Sequence, residues 1–220
     1  MAGQCCAPST DAAHTSPRFR QVLWWALAIN LLMFGVEIVA GVISQSMSLQ
    51  ADALDFLGDA ANYGISLAVL GLGLRVRASA AFIKGISMGL FGLWVTGNTL
   101  YRVVNGIPPE AAIMGAVAVL ALIANLTVAF LLYRFRNGDS NMQSVWICSR
   151  NDAIANLAVL AAAGGVFASG TRWPDLAVAA IIATLALSGA WRVLRASVRE
   201  LRAVGLHGPN PAQDSHAHSH

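Results

Sequence analysis

Six runs of apolar residues, at roughly 21–43, 47–74, 80–102, 111–133, 144–168 and 175–195, take up most of this 220-residue chain. Each is close to the roughly 20 residues that a helix needs to cross a hydrocarbon core about 30 Å thick. A chain in hydrocarbon must satisfy its own backbone hydrogen bonds, and apolar segments of this length do so as helices. The breaks between the runs, at 44–46, 75–77, 105–109, 137–141 and 169–174, are short and built of polar or turn-forming residues. The pattern predicts an all-α, polytopic membrane protein with six transmembrane helices. Composition agrees, because 11% of the residues are charged, against roughly 25% in soluble domains. This argues against a water-soluble fold, and 220 residues leave little room for a second domain beside six spans.

The 14 Lys and Arg residues are scattered between the apolar runs instead of lining one basic element, which argues against nucleic acid as a partner in spite of the net charge of +3. They report topology. Six spans place both termini on one side. With that side cytoplasmic, Arg18, Arg20, Arg75, Arg77, Lys84, Arg134, Arg136, Arg192, Arg195, Arg199 and Arg202 lie inside. Arg102 and Arg172 lie outside, and Arg150 falls near the cytoplasmic start of the fifth run. The expected organisation is a cytoplasmic tail over 1–20, a six-helix domain over 21–195 and a cytoplasmic, His-containing tail over 196–220 of a multi-pass protein of the cell membrane. Residues 1–20 lack the apolar core of a signal peptide. Trp24, Trp25, Trp146, Trp173 and Trp191 stand near span ends, where tryptophan anchors a helix at the interface. Three cysteines, of which Cys5 and Cys6 are adjacent, make no disulfide framework and are read as reduced thiols.

The informative residues are those that hydrocarbon rejects. An ionised Asp at the bilayer centre costs about 2.5–3.5 kcal/mol on insertion scales, so such acids persist where they face a bundle interior or a watery cavity. The second run carries Asp52, Asp55 and Asp59, followed by Asn62, at separations of three, four and three residues, the spacing of one helix face. Asp55 and Asp59, about 6 Å apart along the axis, can converge on one cation, and without a cation or protons they repel. No Lys or Arg in the middle of a run is expected to neutralise them. In the fifth run Cys148 and Asp152 stand four apart, with Asn156 four further on. Two such pairs face to face offer three oxygens and one sulfur. That four-coordinate set suits zinc, with the sulfur favouring softer ions such as cadmium over magnesium or calcium.

The stretch Ser46-Met47-Ser48-Leu49-Gln50-Ala51-Asp52-Ala53 leading into Asp55-x-x-x-Asp59, the later Asp152-Ala153-Ile154-Ala155-Asn156, and Trp173-Pro174-Asp175 at the head of the last run together resemble the cation diffusion facilitator family. The resemblance covers roughly residues 20–200. It implies six helices around a mid-membrane zinc site with an H-x-x-x-D or D-x-x-x-D pair on the second helix and usually H-x-x-x-D on the fifth. By that resemblance Asp55, Asp59 and Asp152 are ligands, and Cys148 stands where the family usually has His, a departure that bears on metal preference. About 25 residues follow the last run. That is too few for the small cytoplasmic α/β domain that members usually carry, so regulation and dimerisation through such a domain are not expected, and a homodimer formed in another way is left open.

Other readings stand beside these. Asp55, Asp59 and Asp152 could be a structural polar stripe bonded to neighbouring helices. Cys148 is either a thiolate ligand or a small apolar packing residue. Asp52, nearer the outer end, is a vestibule residue, a helix-start acid or a ligand. Glu37 of the first run either carries protons or packs against another helix, and Asn62, Asn151 and Asn156 are expected to form interhelical hydrogen bonds. Cys5, Cys6 and His14 at one end and His207, His216, His218 and His220 at the other either bind metal or are solvated tails. Gly85 with Gly89, and Gly164-Gly165, fit close helix packing better than phosphate binding.

The sequence is best read as a divalent-cation exporter, for zinc, cadmium or a similar ion, driven by inward proton flow. Metal binding needs deprotonated ligands, so protons and cation compete and their exchange can be coupled. The alternative is a non-transporting membrane metal sensor or scaffold. An enzyme is disfavoured, because no run contains a His base and no nucleophile has a base beside it. No permanent cofactor is expected, and the partners are the metal ions, protons and the lipid bilayer.

Overall fold

A computed structural model describes residues 17–68, 74–134 and 140–206, apart from the side chains of 74, 77, 140–151 and 204–206. The tail residues singled out above, Cys5, Cys6, His14, His207, His216, His218 and His220, lie outside the described residues. Six helices follow one another: α1 (Pro17–Ile43), α2 (Met47–Ala68), α3 (Leu74–Asn105), α4 (Ala111–Tyr133), α5 (Ser140–Ser169) and α6 (Trp173–Leu206).

The helices match the apolar runs in number and order, with two differences in extent. The second run, expected over 47–74, holds the whole of α2 together with the first residue of α3. Apolarity alone does not mark a boundary inside a continuous run. At the other end α6 continues to Leu206, eleven residues past the end of its apolar run. Its 34 residues amount to about 51 Å at 1.5 Å per residue, well beyond a bilayer core. Arg195, Arg199 and Arg202 recur on the exposed side of this extension, and Arg195 stacks over Trp191, 4.5 Å from the ring centroid. Helix-forming residues continue the helix into water where apolar ones stop.

Among the described residues five helices, all but α2, are long and apolar enough to cross a membrane. Their outward faces carry large apolar side chains such as Leu32, Val104, Phe130 and Phe167, a surface that suits hydrocarbon and not water. α2 differs because of its three Asp residues, and its place in the bundle accommodates them: 14 of its 22 residues are buried. It is packed against α1, α3, α5 and α6, while the most extensive pairings are α1 with α2, α3 with α6 and α4 with α5. The polar helix is thus wrapped by apolar ones. The α3–α6 contact depends on small residues. A Cβ added at Gly85 would stand 2.9 Å from the side chain of Leu194, and one at Gly92 2.9 Å from that of Leu187. Gly89, in the same stripe, faces Ala190 at 3.9 Å, so the close-packing reading of Gly85 and Gly89 fits.

The helix ends at the α1–α2, α3–α4 and α5–α6 turns are tied together by side chains. Gln45 takes a left-handed φ of 57° to turn the chain from α1 into α2. Arg102 donates to the backbone carbonyl and the side-chain oxygen of this Gln45, at 3.0 and 3.2 Å. Arg172 donates to the carbonyls of Val103, at 2.9 Å, and Gly106, satisfying acceptors at the end of α3 that the helix itself cannot. Both arginines therefore have structural work at the end of the bundle that carries the α1–α2, α3–α4 and α5–α6 turns.

Candidate metal centre

α2 is set in place by its first turn. The first N–H groups of a helix have no partner within it. Here the carboxylate of Asp175, on α6, accepts from the N–H of Met47 at 2.8 Å and of Ser48 at 3.0 Å, and from the hydroxyls of Ser46 at 2.7 Å and Ser48 at 2.6 Å. Ser46 Oγ in turn accepts from the N–H of Leu49 at 3.2 Å, the usual service of a serine N-cap. Gln50 reaches back to the carbonyls of Gly41 and Ser46 at 3.0 and 3.2 Å. A Cβ on Gly41 would lie 2.8 Å from the Gln50 side chain, so the glycine permits this approach of α1 to α2. Asp175, to which the sequence alone assigns no role, is the clamp that holds the first turn of the acidic helix against α6.

Along α2 the acids then fall at successive depths. Asp52 is buried and its neighbour across the helix interface is Glu37 of α1. Asp55 is partly buried one turn deeper, near enough to Glu37 for its charge to be felt there. Asp59, one turn deeper again, is buried and accepts a hydrogen bond from Tyr63 Oη at 2.9 Å. Its carboxyl lies within hydrogen-bonding reach of Asp152 on α5. The structure therefore joins one acid of each predicted pair across α2 and α5. Among the described residues, which leave out the Cys148 side chain, no cluster of three or more His, Cys, Asp or Glu poised to hold a metal occurs. Cys148 lies on α5, one turn before Asp152, and its side chain is outside the described residues.

Three expectations from the sequence change. The apolar pattern puts Lys84 at the cytoplasmic end of the third span and offers no central cation. Because α3 starts at Leu74, Lys84 is more than two turns into the helix, where it is buried, donates to Asn62 Oδ1 and stands in the field of Asp59. A fixed positive charge thus sits at the Asn62 end of the acidic stripe. Asn62 makes the interhelical bond expected of it. Asn156 instead donates to the carbonyl of Asp152 in its own helix, at 3.0 Å, and its Oδ1 has no partner among the described residues. Asn151 has its side chain outside the described residues. Asp52 is 1% exposed and so is no vestibule residue in this conformation. Sequence reasoning misses Tyr63, which lies four residues after Asp59 on the same face, a spacing that identifies it once Asp59 is singled out.

Comparison with known proteins bears on this arrangement. The model of the cation efflux transmembrane domain matches residues 23–202. The zinc transporter ZitB of Escherichia coli is 26% identical over 192 residues, covering 81% of this chain and 61% of ZitB. The metal cation efflux system protein CzcD of Cupriavidus metallidurans is 26% identical over 189 residues, covering 80% of this chain and 60% of CzcD. The cadmium, cobalt and zinc/H(+)-K(+) antiporter of Bacillus velezensis is 24% identical over 184 residues, covering 76% of this chain and 58% of the antiporter. The chain thus spans about three fifths of the length of these relatives.

Proposed function

The chain belongs to the cation efflux, or cation diffusion facilitator, family of membrane proteins, and from that premise we propose that it exports a divalent metal ion from the cytoplasm in exchange for protons. The observation that supports this reading is the meeting of Asp59 and Asp152 between α2 and α5. Two carboxyls from different helices, deep in a bundle, repel when both are ionised. A divalent cation or protons remove that repulsion, and the two compete because the ligands must be deprotonated to bind metal. Asp55 and Cys148 flank the pair by one turn on either helix and complete the seat as the helices close on the cation. Alternating exposure of the seat to the two sides then moves the ion, with Lys84 at its Asn62 end opposing a cation that lingers there.

Zinc and cadmium are the proposed cargo. The three relatives are named for zinc, for metal cations and for cadmium, cobalt and zinc, and a mixed oxygen and sulfur set suits these ions. Equilibrium dialysis of the purified chain against zinc, cadmium and manganese tests the seat directly. The expected result is saturable binding of zinc and cadmium that weakens as pH falls. Cys148→Ser is expected to weaken cadmium about tenfold or more relative to manganese, since a thiolate is the soft member of the set, and Cys148→His to restore zinc through an imidazole nitrogen. An unchanged ranking of the three metals in Cys148→Ser removes Cys148 from the seat.

A further inference from the structure

A second pair of carboxyls lies closer to the α1–α2 turn, and neither the Asp59–Asp152 seat nor the packing accounts for it. Glu37 of α1 and Asp52 of α2 are 0% and 1% exposed. No hydrogen-bond donor among the described residues reaches any of their four oxygens. Asp175, equally buried, accepts four hydrogen bonds, so the contrast is not one of depth alone. Burying a charged group without a partner is strongly unfavourable. Glu37 is six residues from the end of α1 and Asp52 five from the start of α2, which puts both about 8–9 Å below the helix ends at that turn. At that common depth the two carboxyls are within hydrogen-bonding reach of each other. Two carboxylates have no hydrogen to share. The one bond open to them exists only if a proton is present.

We propose that Glu37 and Asp52 hold one proton between them at a seat separate from the metal ligands, and that this proton is exchanged for the cation in addition to those the ligands give up. The inference rests on the transport reading above and assigns its counter-ion a place. Protonation forms one O–H bond on either carboxylate, with the other accepting the hydrogen bond, and release breaks the same O–H bond to return the proton to water. No electrons are transferred. Among the described residues the surroundings supply no substitute, for Arg102 and Arg172 are engaged with Gln45, Val103 and Gly106. α4 offers no charged side chain between Glu110 and Tyr133, Asp175 of α6 is engaged at the start of α2, and Lys84 of α3 and Asp152 of α5 lie deeper, beside Asn62 and Asp59. Asp55 is the further acid whose charge acts on Glu37. It stands about 4.5 Å along the axis from Asp52, so a cation reaching Asp55 brings positive charge to within a turn of the shared proton. The cation favours loss of the proton and the proton opposes the cation, each by the same factor.

The test uses the full chain in proteoliposomes with zinc as the probe. The infrared difference spectrum at neutral pH, wild type minus the Glu37→Gln/Asp52→Asn double variant, is expected to show a protonated-carboxyl band, to which the Asp59–Asp152 pair common to both chains does not contribute. The same variant is expected to bind as many zinc ions per chain as the wild type without a gradient. Its gradient-driven uptake should fall about tenfold or more and its pH profile should flatten, while Glu37→Asp, which keeps the pair of carboxyls, restores part of the pH dependence. The proposal is overturned if that difference band is absent, if uptake keeps its wild-type pH profile, or if one bound zinc per chain is lost, which would make the pair a second cation seat. A wild-type chain that takes up no zinc under any gradient overturns the transport reading instead, and the infrared band still decides where the proton resides.

Discussion

Asp59→Asn and Asp152→Asn are each expected to abolish zinc transport in a chain that still inserts and folds, Asp152→Asn at least as well as the wild type and Asp59→Asn with the Lys84 charge less compensated. Changes outside the inner ligand sphere typically cost a metal site about 10- to 100-fold in affinity, so removing a charged inner ligand is expected to cost about 100-fold or more. The fold should tolerate the change. In Asp59→Asn the new amide keeps an oxygen to accept the hydrogen bond that Tyr63 makes at 2.9 Å, and at either position an amide placed against the remaining carboxylate replaces a repulsion with an N–H···O bond. An uncharged side chain also eases insertion. For Asp152→Asn the combination is diagnostic: metal-free protein with an unchanged or raised unfolding temperature, together with lost binding, marks a residue held for function at a cost to stability. Undiminished transport in both variants would move the seat away from the α2–α5 contact.

That contact is partly legible in the sequence. The acids of α2 stand out because hydrocarbon rejects them and their spacing puts them on one face; for Asp152 the four-residue spacing from Cys148 does the same. The meeting of Asp59 with Asp152 is reached only by facing two such pairs, since spacing along one helix says nothing about which turn of another stands opposite. Lys84 is misplaced by hydropathy, which locates the apolar middle of a helix and not its start, and α3 begins six residues before its apolar run. Asp175 can be noticed in the sequence but not understood there. Its role depends on α6 meeting the first turn of α2 across more than 120 residues of chain, a tertiary fact that no local pattern carries. Glu37 and Asp52 are each visible as intramembrane acids, but only the packing of α1 on α2 makes them a pair.

The second large effect is expected at that clamp. Asp175→Ala removes the acceptor for two N–H groups and two hydroxyls at the head of α2. Hydrogen bonds to a charged group contribute about 1.5–3 kcal/mol each and are not additive, and part of the loss is recovered where water reaches that end of the bundle, so a net destabilisation of about 2–4 kcal/mol is expected. The negative charge also opposes the positive end of the α2 dipole, a contribution that Asp175→Asn loses while keeping one acceptor oxygen. The Asn variant is therefore expected to fall between the wild type and the Ala variant, and Ser46→Ala, which removes one hydroxyl and its cap to Leu49, to cost about 1 kcal/mol. Thermal unfolding of the purified variants in detergent reads the order. An Asp175→Ala chain as stable as the wild type would mean that α2 is held by its apolar packing alone.

The central claim, exchange of a divalent cation for protons through this bundle, is tested most directly by zinc uptake into proteoliposomes holding the purified chain, with the interior made acidic relative to the medium. The account predicts saturable zinc accumulation in those vesicles whose cytoplasmic face is outward, alkalinisation of the interior in step with it, collapse of both when a protonophore dissipates the gradient, and neither in Asp59→Asn. Zinc uptake that ignores the pH gradient, or a chain that binds zinc at Asp59 and Asp152 yet moves none of it under any gradient, would contradict the account.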